Sequence, residues 1–129
     1  MALNVNDPCL FCELLNNKKI AVENDWAFAI FDSFPVNPGH VLVIPKRHVA
    51  NYFDLTTDEV LAIQDLLQRM KTEVDSKFHP DGYNIGVNVG AEAGQSIFHV
   101  HVHLIPRYKG DVERPRGGVR GVIPSKQSY

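Results

Sequence analysis

Histidines occupy alternate positions in the segment His99-Val100-His101-Val102-His103. Side chains on an extended strand alternate between faces, so His99, His101 and His103 share one side, with Phe98, Val100, Val102 and Leu104 on the other. The apolar side suits a core. The imidazole side suits metal ligation or chemistry by imidazole itself, and a merely solvated face would be served as well by Thr or Lys. Same-face neighbours on a strand stand about 6.7 Å apart, which separates His99 from His103 by roughly 13 Å. A tetrahedral zinc with bonds of about 2.1 Å needs donors only about 3.4 Å apart. The three histidines are therefore expected to divide their duties rather than share one ion. A neutral imidazole is a nucleophile toward phosphorus, and an ordinary pKa near about 6.5 leaves it unprotonated at neutral pH. Flanking imidazoles can donate to phosphoryl oxygens, where charge develops in a transition state.

The loop Gly90-Ala91-Glu92-Ala93-Gly94-Gln95-Ser96 runs directly into this segment. Its two glycines allow backbone N–H groups, together with Gln95 and Ser96, to face an anion. Near the start, Cys9-Leu10-Phe11-Cys12 has a C-x₂-C spacing suited to one tetrahedral metal, given two further ligands. A redox pair and two idle thiols are the alternatives; the redox reading is weakened by the lack of a following βαβ pattern.

These residues must be held by a scaffold, and the chain of 129 residues is long enough for one core. Leu10 to Leu15 reads as a short helix closed by Asn16-Asn17, after a polar lead-in from Asn4 to Pro8. Ile20 to Glu23, Ala27 to Asp32 and Val41 to Ile44 read as strands, the last ended by Pro45. Phe34-Pro35-Val36-Asn37-Pro38-Gly39 is a turn. Thr56-Thr57-Asp58-Glu59 opens a helix with a capping box, and Val60, Ile63, Leu67, Met70, Val74 and Phe78 give it an apolar stripe. His79-Pro80 and Asp81-Gly82 stop it. Tyr83 to Val89 and Ile97 to Ile105 are expected strands, and from about residue 107 the chain continues as an extended basic tail. The order predicts an α+β fold: a mostly antiparallel sheet of about five strands with one long and one short helix, in a single domain spanning 1–129.

A net charge of -2 argues against general nucleic-acid or membrane affinity, because both require a cationic surface. No apolar run approaches the roughly 20 residues that span a bilayer. Met1 to Asp7 lacks the pattern of a signal peptide, so the cytoplasm is the expected compartment, where Cys9 and Cys12 stay reduced.

The segment His99 to Ile105 resembles the signature of the histidine triad (HIT) proteins. Pro38-Gly39-His40-Val41-Leu42-Val43-Ile44-Pro45-Lys46-Arg47-His48 is similar to that family's second hallmark, and Ala93-Gly94-Gln95-Ser96 to its phosphate loop. The resemblance implies a HIT-like fold and a nucleotidyl hydrolase or transferase acting at the α-phosphate of a nucleotide conjugate, with release of a nucleoside monophosphate. By motif position it implies that His101 is the nucleophile, that His103 donates to phosphate, and that His40 supports the nucleophile from the neighbouring strand. Asn88, Gln95 and Ser96 are implied contacts to phosphate or leaving group. Asp32 would hold the ribose hydroxyls, although an Asp at a strand end also caps turns. Phe11, Leu14, Ile30, Phe31 and Leu42 would line the base pocket. The resemblance further implies structural zinc on Cys9, Cys12, His48 and His99, with no cofactor in the chemical step, and a homodimer joined through the long helix and an adjoining strand. Dinucleoside polyphosphates are the leading substrate class. A phosphoramidate, or a nucleotide-binding signalling role, is the alternative. Arg120 or a neighbour in the tail is a candidate clamp for polyphosphate.

Overall fold

A computed structural model describes residues 9–16 and 19–129. Met1 to Asp7, the lead-in Asn4 to Pro8, and Asn17 of the Asn16-Asn17 stop lie outside these residues.

The order of elements is α1 (Leu10–Asn16), β1 (Val22–Glu23), β2 (Ala27–Phe31), β3 (Val41–Pro45), α2 (Thr57–Phe78), β4 (Gly82–Gly86) and β5 (Val102–Arg107). The strands form one sheet in the order β1-β2-β3-β5-β4, with every neighbouring pair antiparallel. The α+β architecture with one long and one short helix is as the sequence predicts.

The sheet separates two cores. Ala27, Ala29, Val41, Val43, Val102 and Leu104 face α2, which buries Ala62, Ile63, Leu66, Leu67, Met70 and Val74 against them. Val60, the first residue of the expected stripe, is 37% exposed, and Leu66 takes the central position. The opposite face carries Phe28, Ile30, Leu42 and Ile44, covered by Phe11 of α1. Phe31 belongs to the α2 side, its ring 6.3 Å from that of Phe78, so the structure removes it from the expected base pocket. The reason is strand parity: Ile30 and Phe31 must point to opposite faces.

The N-terminus of α2 carries the expected capping box between Thr56 and Glu59. Glu59 also receives a bidentate pair from Arg47, at 3.0 Å from Nε and 2.8 Å from Nη2. At the far end, Gly39 sits at φ +87°, where an added Cβ would stand 2.9 Å from the Phe78 ring. Only glycine closes the 34–39 turn so tightly against α2.

Several strand boundaries differ from expectation: β1 starts at Val22 rather than Ile20, β2 ends at Phe31 rather than Asp32, β3 takes in Pro45, and β4 starts at Gly82 rather than Tyr83. β4 ends at Gly86 rather than Val89, and residues 87–90 lead into a 3₁₀ turn at Ala91–Ala93. β5 begins at Val102 rather than Ile97 and continues to Arg107, beyond the expected end at Ile105. The segment carrying His99 and His101 is held instead by Val100, whose N–H donates to the Val49 carbonyl at 2.8 Å. Beyond Arg107 the tail folds into 3₁₀ turns at Gly118–Val122 and Pro124–Lys126.

Candidate active site

His103 pairs with Leu42 of β3 and Gly86 of β4, on the face away from α2. The same parity brings Ile30 and Asp32 of the β2 edge, and His40 immediately before β3, to that face. His101 lies there too, with its ring 4.9 Å from Phe11 and 5.2 Å from His103. His99, whose ring meets that of Phe11 edge-on at 6.1 Å, joins the group formed by Cys9, Cys12 and His48. Two groups of titratable side chains therefore flank one short segment, and hydrogen bonds assign each a different chemistry.

In the first group, Val36 N–H donates to His40 Nδ1 at 3.0 Å. A neutral His40 must then carry its proton on Nε2, which lies 3.0 Å from His103 Nδ1 and 3.6 Å from Asp32 Oδ2. His103 Nδ1 accepts that proton, which leaves His103 with Nε2–H as a donor. His101 is fixed the other way: its Nδ1 donates to the His99 carbonyl at 2.9 Å, so Nε2 keeps its lone pair. The result is one imidazole nitrogen with a free electron pair beside a second imidazole with a free N–H.

Burial lowers the pKa of His101, opposed by its bond to the His99 carbonyl and by the charge of Asp32. Burial lowers His40 as well, against the Asp32 charge. His103 falls to about 4, through burial first and then the charges of His101 and His40. All three rings are thus neutral near neutral pH, as the hydrogen-bond pattern requires. Asp32, His40 and His103 lie close enough to suggest a cation site. The His40 tautomer opposes it, because a metal on Nε2 would drive the proton to Nδ1, against the Val36 N–H.

The second group has the opposite arrangement. His99 is fully buried and donates from Nε2 to the Pro45 carbonyl at 2.7 Å, so Nδ1 presents a lone pair. That atom lies 3.2 Å from Cys9 Sγ and 3.6 Å from Cys12 Sγ, and His48 Nδ1 lies 3.5 Å from Cys12 Sγ. All four donor atoms fall within 4.8 Å of one another, a two-sulfur, two-nitrogen set of tetrahedral size. A carbonyl holding the far nitrogen of a ligating histidine is the usual outer support of such a site. Burial, and then the bond and like charge from Cys9, push the Cys12 thiol up to about 11. A divalent cation is what would favour thiolates here.

The remaining expected site residues divide. Ile30, Leu42 and Phe11 are buried together, with Leu14 packed beside them. Asp32 Oδ1 accepts from Phe34 N–H at 2.9 Å, the turn-capping role, while Oδ2 faces His40. His40 contacts His103 and not the nucleophile candidate His101, a correction to its expected partner. Gln95 is 5% exposed, and its amide is used inside the loop: Oε1 accepts from Gly90 N–H at 2.9 Å, and Nε2 donates to the Ala50 carbonyl at 2.8 Å. Gln95 therefore shapes the loop that Ser96 and Asn88, both exposed, present to solvent. Arg120 lies over the Tyr129 ring at 4.7 Å. Four participants are not evident from the sequence: the Val36 N–H, the Pro45 carbonyl, the His99 carbonyl and the Arg47–Glu59 pair. The first three are backbone groups, which leave no signature in residue type.

A five-stranded antiparallel sheet that carries alternate histidines, beside a thiol–imidazole metal set, defines a histidine-triad site. Residues 14–110 match the HIT domain model, and the chain belongs to the HIT domain family. Over 107 residues it is 42% identical to an uncharacterized HIT-like protein of Mycoplasma pneumoniae, covering 81% of this chain and 74% of that one. It is 40% identical over 100 residues to a bis(5'-adenosyl)-triphosphatase of Dictyostelium discoideum, covering 78% and 67%. Among solved structures, a Zn-bound histidine triad family protein from Mycobacterium smegmatis superposes with a TM-score of 0.73 at 34% identity, covering 80% and 77%.

Proposed function

We propose that this chain is a nucleotidyl hydrolase that cleaves dinucleoside polyphosphates, or related adenosine nucleotide conjugates, at the α-phosphate. The observation that carries the reading is the pair of opposed tautomers: a free lone pair on His101 Nε2 beside a free N–H on His103 Nε2. His101 Nε2 attacks the α-phosphorus; a P–N bond forms as the bond to the leaving phosphate oxygen breaks, and that oxygen departs with the electron pair. The His103 N–H donates to a non-bridging oxygen as charge builds there. Water then attacks the same phosphorus, the P–N bond returns its electrons to His101, and the nucleoside monophosphate leaves. The His99 carbonyl holds the Nδ1 proton throughout, stabilising the cationic imidazole of the intermediate. Phe11, Leu14, Ile30 and Leu42 form the apolar wall for the base, and Asp32 Oδ2 faces the ribose. Asn88 and Ser96 reach the phosphate or leaving group, within the loop that Gln95 braces.

Cys9, Cys12, His48 and His99 hold a structural zinc in this reading. When bound it fixes the segment on which His101 stands and enters no chemical step. The similarity to a triphosphatase and to a Zn-bound family member supports both parts. A homodimer through α2 and β4 fits the sheet order, which leaves β4 at an edge with Ile85 53% exposed. Among the described residues no helix is long and apolar enough to cross a membrane, and reduced thiols suit a cytoplasmic setting.

The test is turnover of diadenosine triphosphate and an adenosine phosphoramidate by the wild-type chain and by His101→Ala. The variant is expected to lose about 10³-fold or more of the activity with its fold intact. Retained turnover overturns the nucleophile, and a preference for the phosphoramidate overturns the substrate class.

A further inference from the structure

The C-terminal tail is not a loose appendage, because it roofs a second cavity on the histidine face of the sheet. This cavity has a volume of about 450 Å³ and begins where the histidine site ends. Its floor is Ile105 of β5, two residues beyond His103 on the same face and roughly 6.7 Å along the strand. Asn84, the cross-strand neighbour of Ile105, completes that floor. One wall is Val36, whose N–H sets the His40 tautomer. The roof is the tail, through Val112, Arg114 and Gln127.

The roof is built rather than draped. The Gln127 amide donates to the Arg114 carbonyl at 3.0 Å and to the Arg116 carbonyl at 3.3 Å. Gly117, at φ +93°, lies so close to the Gln127 backbone that a Cβ there would overlap its carbonyl. The volume falls within the range of ordinary small-molecule sites.

The charges at this cavity are uneven. Arg107 is neutralised by Asp111, whose carboxylate takes bonds of 2.8 and 2.9 Å from it, and it also donates to Asn84 Oδ1 at 2.6 Å. Arg114, Arg116 and Arg120 pair with no carboxylate among the described residues. Two of these guanidinium groups gather on the Tyr129 ring, at 5.6 and 4.7 Å, and Arg114 lines the cavity itself. A chain of net charge -2 thus carries an unpaired guanidinium, that of Arg114, on the wall of a pocket next to its histidine site, with Arg116 and Arg120 unpaired in the same tail.

We infer that this tail-roofed cavity is the subsite for the leaving portion of the substrate, a nucleoside polyphosphate, with Arg114 as its phosphate contact. The inference rests on the nucleotidyl-hydrolase reading and adds which end of the substrate goes where. The departing base or ribose lies against Val36, Ile105 and Val112. The base of the transferred nucleotide occupies the Phe11, Ile30 and Leu42 wall, which lies across the sheet from His103 and against His101 rather than further along β5. The leaving group is thereby required to carry negative charge beyond the α-phosphate, which a simple amine lacks.

Binding by calorimetry to the full chain carrying His101→Ala, which holds substrate without turning it over, tests this. Adenosine monophosphate reports the transferred-nucleotide site, and diadenosine triphosphate reports both sites. Diadenosine triphosphate is expected to bind more tightly than the monophosphate. A further Arg114→Ala change is expected to weaken diadenosine triphosphate about tenfold while leaving the monophosphate within about twofold. Val112→Trp, which enlarges a side chain on the cavity lining, is expected to act in the same sense. If neither change moves the diadenosine triphosphate constant by more than about twofold, the subsite is overturned while the monophosphate result keeps the nucleotide reading intact. Failure of the monophosphate to bind overturns the nucleotide reading, and the subsite with it.

Discussion

His99 does two separate jobs through two parts of one residue. Its ring offers Nδ1 to Cys9 and Cys12, and its carbonyl accepts from His101 Nδ1. The alternation of histidines places the proposed nucleophile and the proposed metal ligand on neighbouring alternate positions, and the backbone between them carries the orientation. His40 and His103 form a second relay, anchored by a backbone N–H at Val36. These relays need neutral rings, which gives a pH dependence of definite sign. The unfolded chain binds protons at its histidines below about 6.5, whereas the folded His103 resists until about 4. Stability is therefore full above the unfolded value and is lost progressively as pH falls from about 6.5 toward about 4. Chemical denaturation at a series of pH values should show that decline. The acid-side midpoint for loss of turnover should fall below about 6.5, where an ordinary imidazole would be half protonated. A midpoint for activity loss at or above that value would contradict the burial argument for His101.

The elements explain why these few groups meet. β3 delivers His40 at one end and the 46–50 turn at the other, and that turn carries His48 and pairs with Val100 through Val49. Arg47 ties the turn to α2 by holding Glu59, whose side chain is 1% exposed. Its bond to Glu59 lowers the Glu59 pKa. Arg47→Ala leaves that carboxylate inside the fold without its cation. Because the Arg47 side chain is 51% exposed and water can partly replace it, the expected cost is about 1–3 kcal/mol rather than that of a fully buried pair. Urea denaturation measures it, and a loss below about 0.5 kcal/mol would show that the pair is a surface contact only. At this scale much was legible in the sequence. The capping box, the stripe of α2 and the aliphatic run of β3 each state their structure through residue type and period. What was not legible is where pairing stops. Val100, Val102 and Leu104 alternate as a strand should, yet the ladder starts only at Val102, because the segment before it is pinned to the 46–50 turn. Gln95 looks from sequence like a phosphate contact and lies inward, since its neighbours Gly90 and Ala50 supply hydrogen-bond partners that only the tertiary fold brings near. Phe31 fails as a pocket residue for the simplest reason, a parity that shifts with one position of register.

Across the whole molecule, the cysteine–histidine group joins three distant parts of the chain: α1, the 46–50 turn and the histidine segment. Cys9 and His99 are 90 residues apart. A metal at this set would act as a cross-link that the unfolded chain lacks, and its binding free energy would add to folding. Purified protein is therefore expected to hold about one zinc per chain. Cys9→Ser is expected to lower that content and the thermal midpoint together, as read by elemental analysis and thermal unfolding. Unchanged zinc content in the variant would contradict the ligand set. The sheet meanwhile keeps the two functions on separate neighbours, with thiols at one end of the histidine row and the tail-roofed cavity at the other. In the proposed mechanism His101 alone forms the covalent bond. Rapid acid-free quenching during turnover of diadenosine triphosphate, followed by peptide mass spectrometry, tests it most directly. A nucleoside monophosphoryl group is expected on the peptide and on the ring of His101, and on no other histidine. Turnover with no adduct at any time point, or an adduct on His40 or His103, would contradict the account.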